Sequence, residues 1–551
     1  MEKIKTFFKS NKKETLVFIL FFLVASVSVL YSLTLPPTVH NDTYVTLLAN
    51  RVSSDPTYPD RASLLHLDYK PYLYTNVLSY LSNNFSLYTG NLILLFIAVF
   101  STLYFTYLAF RLLGFSLSIS TLVSLVSLVP RGEIAGGMFG VFTADDVLGG
   151  VFAVPVMWMI MAWLIKRRFD KKSLWPVMFV SGLFTYIHPV SMIFFNCVLF
   201  VTIIYWTILE KNYKEDIKNF LYSLVAFFLS ASLLLFKIFN VFKGASLSKV
   251  GFGVATANEY AQALLYRTAF DFFPTSAGYA LQFFLVNIFF LVAVVYIYSN
   301  IRKGRIVKGD KLYFISQFGF FIMILSVFLS FFLPALQLWL IQKFDFPYIL
   351  EQASRFFRYY YLGLFLLWGV AVTILLEQYR EKRKILFTLL LIVGICSSTF
   401  VFELFQFAVG YYGYQKEYIP NFLQADKLTD MTKIYPTYCD QIKKAGITRE
   451  DLIISDDFKL RYWCQSRLFI TFEEGSIYLL SGKNELVWWE KNYKEQEQVL
   501  HEGSAKELTV FAKRLKARYA LLEVTSPMVK EFGLKGEIVS LGDHFAVIQF
   551  K

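Results

Sequence analysis

Apolar segments of about 20 residues recur along the chain and are separated by short polar stretches. One such segment crosses a bilayer as a single helix, because each helical residue rises about 1.5 Å and the hydrocarbon core is about 30 Å thick. Only 17% of the residues are charged, below the roughly 25% of soluble domains, so the chain must face lipid. The sequence predicts about eleven transmembrane helices, near residues 16–35, 90–110, 113–129, 147–165, 174–208 (two helices), 219–240, 280–299, 312–334, 360–377 and 385–406.

The positions of the basic residues predict the orientation of the chain. Lysines precede the first segment, and clusters of Lys and Arg follow the fourth, sixth, eighth and tenth. Basic loops stay in the cytoplasm, so we expect a multi-pass protein of the cell (inner) membrane with a cytoplasmic amino end. The same clusters account for the net charge of +13, so membrane lipids are expected partners and nucleic acid is not. The first segment is too long for a cleaved signal and is predicted to be retained.

The composition changes after about residue 410, where short strands and helices alternate. Strands are predicted at 451–455, 467–471 and 519–523, a helix at 504–515, and a hairpin at 537–550 around Gly542-Asp543. The predicted fold is therefore a polytopic α-helical membrane domain, 1–408, followed by a small extracytoplasmic α/β domain, 409–551. The membrane domain has predicted outer loops at 36–88, 130–146, 241–278 and 335–359. Cys439 and Cys464 can pair if the second domain lies outside, and the sequence leaves that open.

The most specific candidate for chemistry is Asp42, in His40-Asn41-Asp42-Thr43, just beyond the first membrane segment. A carboxylate held at a membrane exit can serve as a general base or as a metal ligand, with His40 beside it. The alternative is structural. Asn-Asp-Thr before the apolar run Tyr44, Leu47 and Leu48 is also typical of a helix N-cap.

Three more acidic residues and one histidine lie in segments predicted to be outside or at membrane depth. Glu133 follows Pro130-Arg131-Gly132, and Asp145-Asp146 lies beyond a glycine-rich stretch, where adjacent carboxylates favour a bound cation or a donor. The alternative is a solvated turn in which Asp145 caps the fourth helix. His188, before Pro189, either faces a polar cavity or ends a helix at the interface.

Arginines form the last group of candidates. Arg355 and Arg358 are three residues apart, so a helix would place both guanidinium groups on one face. Arginine binds phosphate in a bidentate manner, so this pair, and less strongly Arg267, are candidates for binding a lipid phosphate. Arginines that snorkel within an aromatic belt give the same pattern.

This layout resembles the GT-C superfamily of polytopic glycosyltransferases, which use sugars linked to polyprenyl phosphate. The resemblance covers the cytoplasmic amino end, the acidic residue of the first outer loop, the acidic residues of the second, the many spans and the outer carboxyl-terminal domain. It is closest to uncharacterised bacterial members, with a His-Pro like His188-Pro189 and a segment like 455–461. The chain departs from the superfamily in offering a single Asp in its first loop. Trp488-Trp489-Glu490 differs from the Trp-Trp-Asp of oligosaccharyltransferases and is interpreted as packing.

The resemblance implies an inverting glycosyltransferase of envelope glycan biosynthesis. It implies Asp42 as the catalytic residue and Asp145 or Asp146 as the second acidic position. It does not specify the sugar or the acceptor, which is an unknown glycan, lipid or protein. A divalent cation, Mg²⁺ or Mn²⁺, held by Asp42 and Asp145 is a further expectation. Two other classes stay open: a non-catalytic scaffold of envelope assembly, and a transporter or flippase. The very few ionisable residues within the spans count against a transporter.

Overall fold

A computed structural model gives the structure of the chain. It describes residues 12–34, 47–48, 55, 57–58, 72–129, 140, 149–167, 171–210, 213–245, 255–272, 277–344, 353–398, 431–472, 474–475, 478, 482–542 and 544–550.

The first part of the chain is entirely helical where the structure describes it. Its helices are α1 (Lys12–Thr34), α2 (Tyr72–Asn84), α3 (Leu87–Leu112), α4 (Leu117–Leu128), α5 (Ala153–Lys166), α6 (Lys171–Leu183), α7 (Pro189–Glu210), α8 (Tyr213–Ala245), α9 (Ala257–Phe272), α10 (Ala277–Arg302), α11 (Lys311–Phe344), α12 (Tyr360–Gln378) and α13 (Arg383–Cys396). Short 3₁₀ turns at Gly149–Phe152, Phe184–Tyr186, Ala353–Tyr359 and Arg380–Lys382 precede or follow some of them.

The predicted fold class is confirmed. Among the described residues, seven helices are long and apolar enough to cross a membrane, and three shorter apolar helices accompany them. A helix is present at each predicted span, although α13 is described only to its end at Cys396. The boundary predicted at 408/409 lies outside the described residues.

The centre of the membrane domain is α12. In the apolar 18-residue stretch of Arg355–Gln378, 83% of the residues are buried inside the protein, against 28% in the corresponding stretch of α1. A side chain at Gly363 would meet the backbone oxygen of Gly319 at 2.5 Å, so α12 and α11 pack backbone against backbone. Because α12 is enclosed by its neighbours, the turn directly before it also lies at the middle of the domain.

Two helices lie within segments that the sequence predicts as loops, namely α2 in 36–88 and α9 in 241–278. The motif Thr256-Ala257-Asn258-Glu259 is a capping box that begins α9: Thr256 Oγ1 accepts from the Glu259 N–H, and Glu259 accepts from the Thr256 N–H at 2.8 Å. In addition, α11 continues past Pro334 to Phe344. Its end is held by packing, since Ile341 is fully buried against the carboxyl-terminal domain.

The carboxyl-terminal domain is a mixed five-stranded sheet with helices. Its strands are β1 (Leu452–Ile454), β2 (Arg467–Leu468), β3 (Tyr519–Glu523), β4 (Ile538–Leu541) and β5 (Phe545–Gln549), in the order β2-β1-β3-β5-β4. Its helices are α14 (Met431–Lys444), α15 (Lys459–Cys464), α16 (Lys483–His501), α17 (Ala505–Leu515) and α18 (Pro527–Leu534). The pairs β1–β2 and β1–β3 are parallel, while β3–β5 and β4–β5 are antiparallel. Every predicted strand, the helix at 504–515 and the hairpin are confirmed.

The two domains meet in two places. In the first, which we call the α15 contact, Tyr462 of α15 lies in a buried cluster built by α1, α2, α3 and Leu47. In the second, the α16 contact, Trp489 of α16 packs with Leu264 of α9 and Ile341 of α11. Trp489 is fully buried there, which supports the interpretation of Trp488-Trp489-Glu490 as packing.

Candidate functional site

The 3₁₀ turn Ala353–Tyr359 presents Arg355 and Arg358 together. Residues three apart eclipse one another in a 3₁₀ helix, so both side chains leave the turn on one face, as their spacing predicts. Both are partly buried. The turn packs against α7, α9 and α11, which places the two arginines where three helices of the membrane domain meet.

Arg358 reaches the beginning of α7. Its Nη1 donates a hydrogen bond of 2.9 Å to Ser191 Oγ, and the neighbouring Tyr359 hydroxyl donates one of 2.5 Å to the Ser191 carbonyl. Gly150 lies against the same group: a side chain there would meet Arg358 Nη1 at 3.0 Å and Ser191 Oγ at 3.4 Å. Glycine at this position therefore leaves room for the guanidinium group.

His188 belongs to this group and also begins a helix. Its Nδ1 accepts a hydrogen bond of 3.1 Å from the Ser191 backbone N–H, and Pro189 follows as the first residue of α7. The predicted alternative, a histidine at a helix end, is thus what the structure shows. The functional hypothesis for His188 is compatible with this role, because the ring also lies beside Gly150 in the same group: a side chain at Gly150 would meet His188 Cε1 at 3.7 Å. With Nδ1 as acceptor, the neutral imidazole has its proton on Nε2.

No carboxylate of the described residues forms an ion pair with Arg355 or Arg358. Each Nε is buried and, within the described part of the chain, has no hydrogen-bond partner. A buried charge is costly unless it is paired. The group around Ser191 therefore combines two cationic side chains with an environment that favours an anion.

The turn Gly149–Phe152 links this group to the first outer loop. A side chain at Gly149 would meet the Tyr74 ring at 3.2 Å, and the rings of Tyr74 and Phe152 lie 6.0 Å apart between centroids. Asp145 and Asp146 precede Gly149 by four and three residues in the sequence. They lie outside the described residues, as does Glu133.

Asp42 and His40 lie outside the described residues as well, although the chain just beyond them is anchored. Leu47 and Leu48 are helical and buried, in agreement with the apolar-periodic run predicted there. Leu47 belongs to the same buried cluster as Tyr74, against which Phe152 packs.

Arg267 lies in the α16 contact. Its guanidinium carbon is 4.6 Å from the centre of the Phe472 ring of the carboxyl-terminal domain. A side chain at Gly475 would meet both Arg267 and Trp489 within 2.6 Å. The structure thus places Arg267 between the two domains, on a helix that packs against the 3₁₀ turn of Arg355 and Arg358.

The described residues contain no group of three or more His, Cys, Asp or Glu side chains that could hold a metal ion. The proposed ligands Asp42 and Asp145 lie outside them, so the cation stays a prediction. Sequence reasoning missed Ser191 and Gly150. Of these residues, only Ser191 had a signal in the sequence. It lies three residues after His188, at the position whose backbone N–H donates to the side chain that caps a helix.

The sequence left open whether Cys439 and Cys464 pair. In the carboxyl-terminal domain they are joined as a disulfide, with Cα atoms 5.0 Å apart.

A solved structure resembles the chain along nearly its whole length. This is ArnT from Cupriavidus metallidurans bound to undecaprenyl phosphate, with a TM-score of 0.43 and 13% sequence identity over 96% of this chain and 97% of ArnT. No protein-family model matches the chain, and no curated protein matches it. The similarity to ArnT concerns the layout of the chain, and the chemistry proposed below rests on the residues of the site.

Proposed function

We propose that the chain is an inverting membrane glycosyltransferase that moves a sugar from a polyprenyl-phosphate-linked donor to an acceptor at the outer face of the membrane. One observation carries this proposal. The described neighbours of Asp42 and of Asp145-Asp146 in the sequence connect to His188 and Arg358: Leu47 and Tyr74 share a cluster, Tyr74 contacts Gly149, and Gly150 contacts Arg358, Ser191 and His188.

The arginines supply the electrostatics of such a site. The donor leaves as a polyprenyl phosphate, whose charge grows as the bond to the sugar breaks. Two guanidinium groups on one face of a turn match phosphate oxygens in charge and geometry. At a partly dry site this interaction is stronger than in water, and it favours the transition state when the charge develops there.

The reaction is a single displacement. Asp42 accepts the proton of the acceptor hydroxyl, whose oxygen forms a bond to the anomeric carbon. The bond from that carbon to the phosphate oxygen breaks, and its electron pair stays on the phosphate held by Arg355 and Arg358. Attack from the opposite side inverts the anomeric centre. The acceptor, whether glycan, lipid or protein, gives up only this proton.

A divalent cation at Asp42 and Asp145 would lower the pKa of the acceptor hydroxyl or screen the phosphate. Dialysis of the purified protein against EDTA tests this role. A dependence on metal predicts lost turnover that returns with Mg²⁺ or Mn²⁺, and unchanged turnover would remove the cation from the proposal.

The decisive experiment substitutes Asp42 and Arg358 separately. Asp42→Asn should abolish the glycan product at a normal protein level, whereas a residue that acts only as a helix cap should lower the protein level instead. Arg358→Gln should weaken binding of undecaprenyl phosphate to the protein in nanodiscs by about 10- to 100-fold, the range expected for one charged hydrogen bond.

Arg380→Gln is the matched control, since Arg380 is an exposed basic residue in the 3₁₀ turn after α12. It should bind the lipid phosphate like the wild type. Equal binding by all three proteins would contradict the role of the arginines, and normal product from Asp42→Asn would contradict the enzyme itself.

A further inference from the structure

The α15 contact holds the first outer loop in two ways. The Tyr58 hydroxyl donates a hydrogen bond to the backbone carbonyl of Arg461 in α15, and Tyr58 is only 4% exposed. Next to it, Tyr462 is buried in the cluster that also contains Leu47 and Tyr74. Leu47, Tyr58 and Tyr74 all belong to the predicted loop 36–88, so the α15 contact includes three described residues of this loop.

A six-residue helix has little stability of its own, so its position must come from its attachments. The strongest is an ion pair inside the carboxyl-terminal domain, Arg461–Glu474, at 2.6 Å with side chains only 3% and 5% exposed. Arg461 also donates to the Leu468 carbonyl at 2.8 Å, and Glu474 accepts from the Thr471 N–H at 2.8 Å. Each charged side chain is therefore held by a hydrogen bond to the backbone in addition to the ion pair.

Two further interactions attach α15 to α14. Cys464, the last residue of α15, is bonded to Cys439 of α14. Trp463 stacks on Tyr435 of α14, whose hydroxyl donates to Asp457 at 2.6 Å. Burial raises the pKa of Asp457, which precedes α15. The helix that contacts the first loop is thus attached to its own domain by an ion pair, a disulfide and stacked rings.

A buried ion pair is an inefficient way to stabilise a domain, because desolvation of the two charges offsets much of their attraction. Its best-attested benefit is a defined geometry. We infer that the α15 contact, held in place by the Arg461–Glu474 pair behind it, is a positioning element for the described residues of the first outer loop, Leu47, Tyr58 and Tyr74. Its catalytic consequence rests on the proposed function, since Asp42 precedes Leu47 by five residues in the sequence.

The test separates the position of the loop from catalysis. The trypsin sites Arg51 and Arg61 lie in the predicted loop, so its protection is measured directly by limited proteolysis of the full chain in detergent. Tyr462→Ala should speed cleavage at these sites about 10-fold and lower kcat about 10-fold, with the KM for the lipid-linked donor unchanged. Tyr58→Phe, which removes a single hydroxyl, should speed cleavage about 5-fold and lower kcat about 5-fold, the effect expected for the loss of one hydrogen bond.

Lys491→Gln is the control at the α16 contact, and it should leave both cleavage and kcat at wild-type values. Wild-type cleavage rates in both tyrosine variants would overturn the inference, as would a rise in donor KM without a fall in kcat. Normal turnover by Asp42→Asn would refute the proposed function alone, since the cleavage result does not depend on it.

Discussion

The two contacts between the domains differ in where their charges lie. Behind the α15 contact, inside the carboxyl-terminal domain, the ion pair Arg461–Glu474 is buried, and a disulfide and stacked aromatic rings attach the helix. In the α16 contact the ion pair Lys491–Glu259 is at the rim, with side chains 62% and 36% exposed, around an apolar centre that includes Trp489. The second arrangement is that of an ordinary protein interface, where apolar area provides affinity. The first provides a fixed geometry at the loop that precedes the candidate site.

The largest difference between the contacts should appear when a charge is removed from the buried pair. Glu474→Ala leaves Arg461 buried without its partner, which costs about 3–5 kcal/mol of the free energy of unfolding. Equilibrium denaturation of the purified protein in detergent measures this. The double variant Arg461→Met, Glu474→Leu should lose less than the single one, and an equal loss would mean that the packing and not the charge matters.

Breaking the disulfide should have the next largest effect. The bond closes a loop between residues 25 apart in sequence, for which chain entropy predicts about 3 kcal/mol of stabilisation. Cys439→Ser should therefore lower the free energy of unfolding and also expose the first loop to trypsin. Addition of dithiothreitol should reproduce both changes in the wild type and neither in the variant.

Removing the rim pair of the α16 contact should change little. Lys491→Gln is expected to cost less than about 1 kcal/mol, because an exposed ion pair is screened by water and salt. The loss in free energy of unfolding should become smaller still when NaCl is raised from about 0.05 to about 0.5 M, because salt shortens the distance over which exposed charges interact. A loss as large as that of Glu474→Ala would show that the two contacts are energetically alike.

The smallest expected effect is the pH dependence of the stabilisation that the Lys491–Glu259 pair provides. Its hydrogen bond with Lys491, followed by those with Thr256, lowers the pKa of Glu259 from 4.5 to about 2. A lowered pKa means that the stabilisation is complete above the usual value of 4.5 and is lost as the pH falls through about 2. The difference in stability between wild type and Lys491→Gln should narrow over this window. A difference that widens toward low pH would contradict the assignment.

The positions of the elements followed closely from local patterns. The apolar segments, the break at His188-Pro189, the strands of the carboxyl-terminal domain and the hairpin at Gly542-Asp543 each depend on nearby residues, and each is present. The helices α2 and α9 were missed because their segments are less apolar than the spans. Thr256 and Glu259 form the capping box that could have revealed α9.

The sequence by itself determined the class of the chain, because the bilayer demands long apolar helices and leaves few alternatives. It also selected His188, Arg355 and Arg358, whose residue types suit an anionic ligand. Only the tertiary structure decided which candidates meet. His188 and Arg358, 170 positions apart by their numbers, share Ser191, whereas Arg267 lies against Phe472 in the α16 contact. Such pairings depend on how distant helices pack, and the spacing of residues along the chain does not encode them locally.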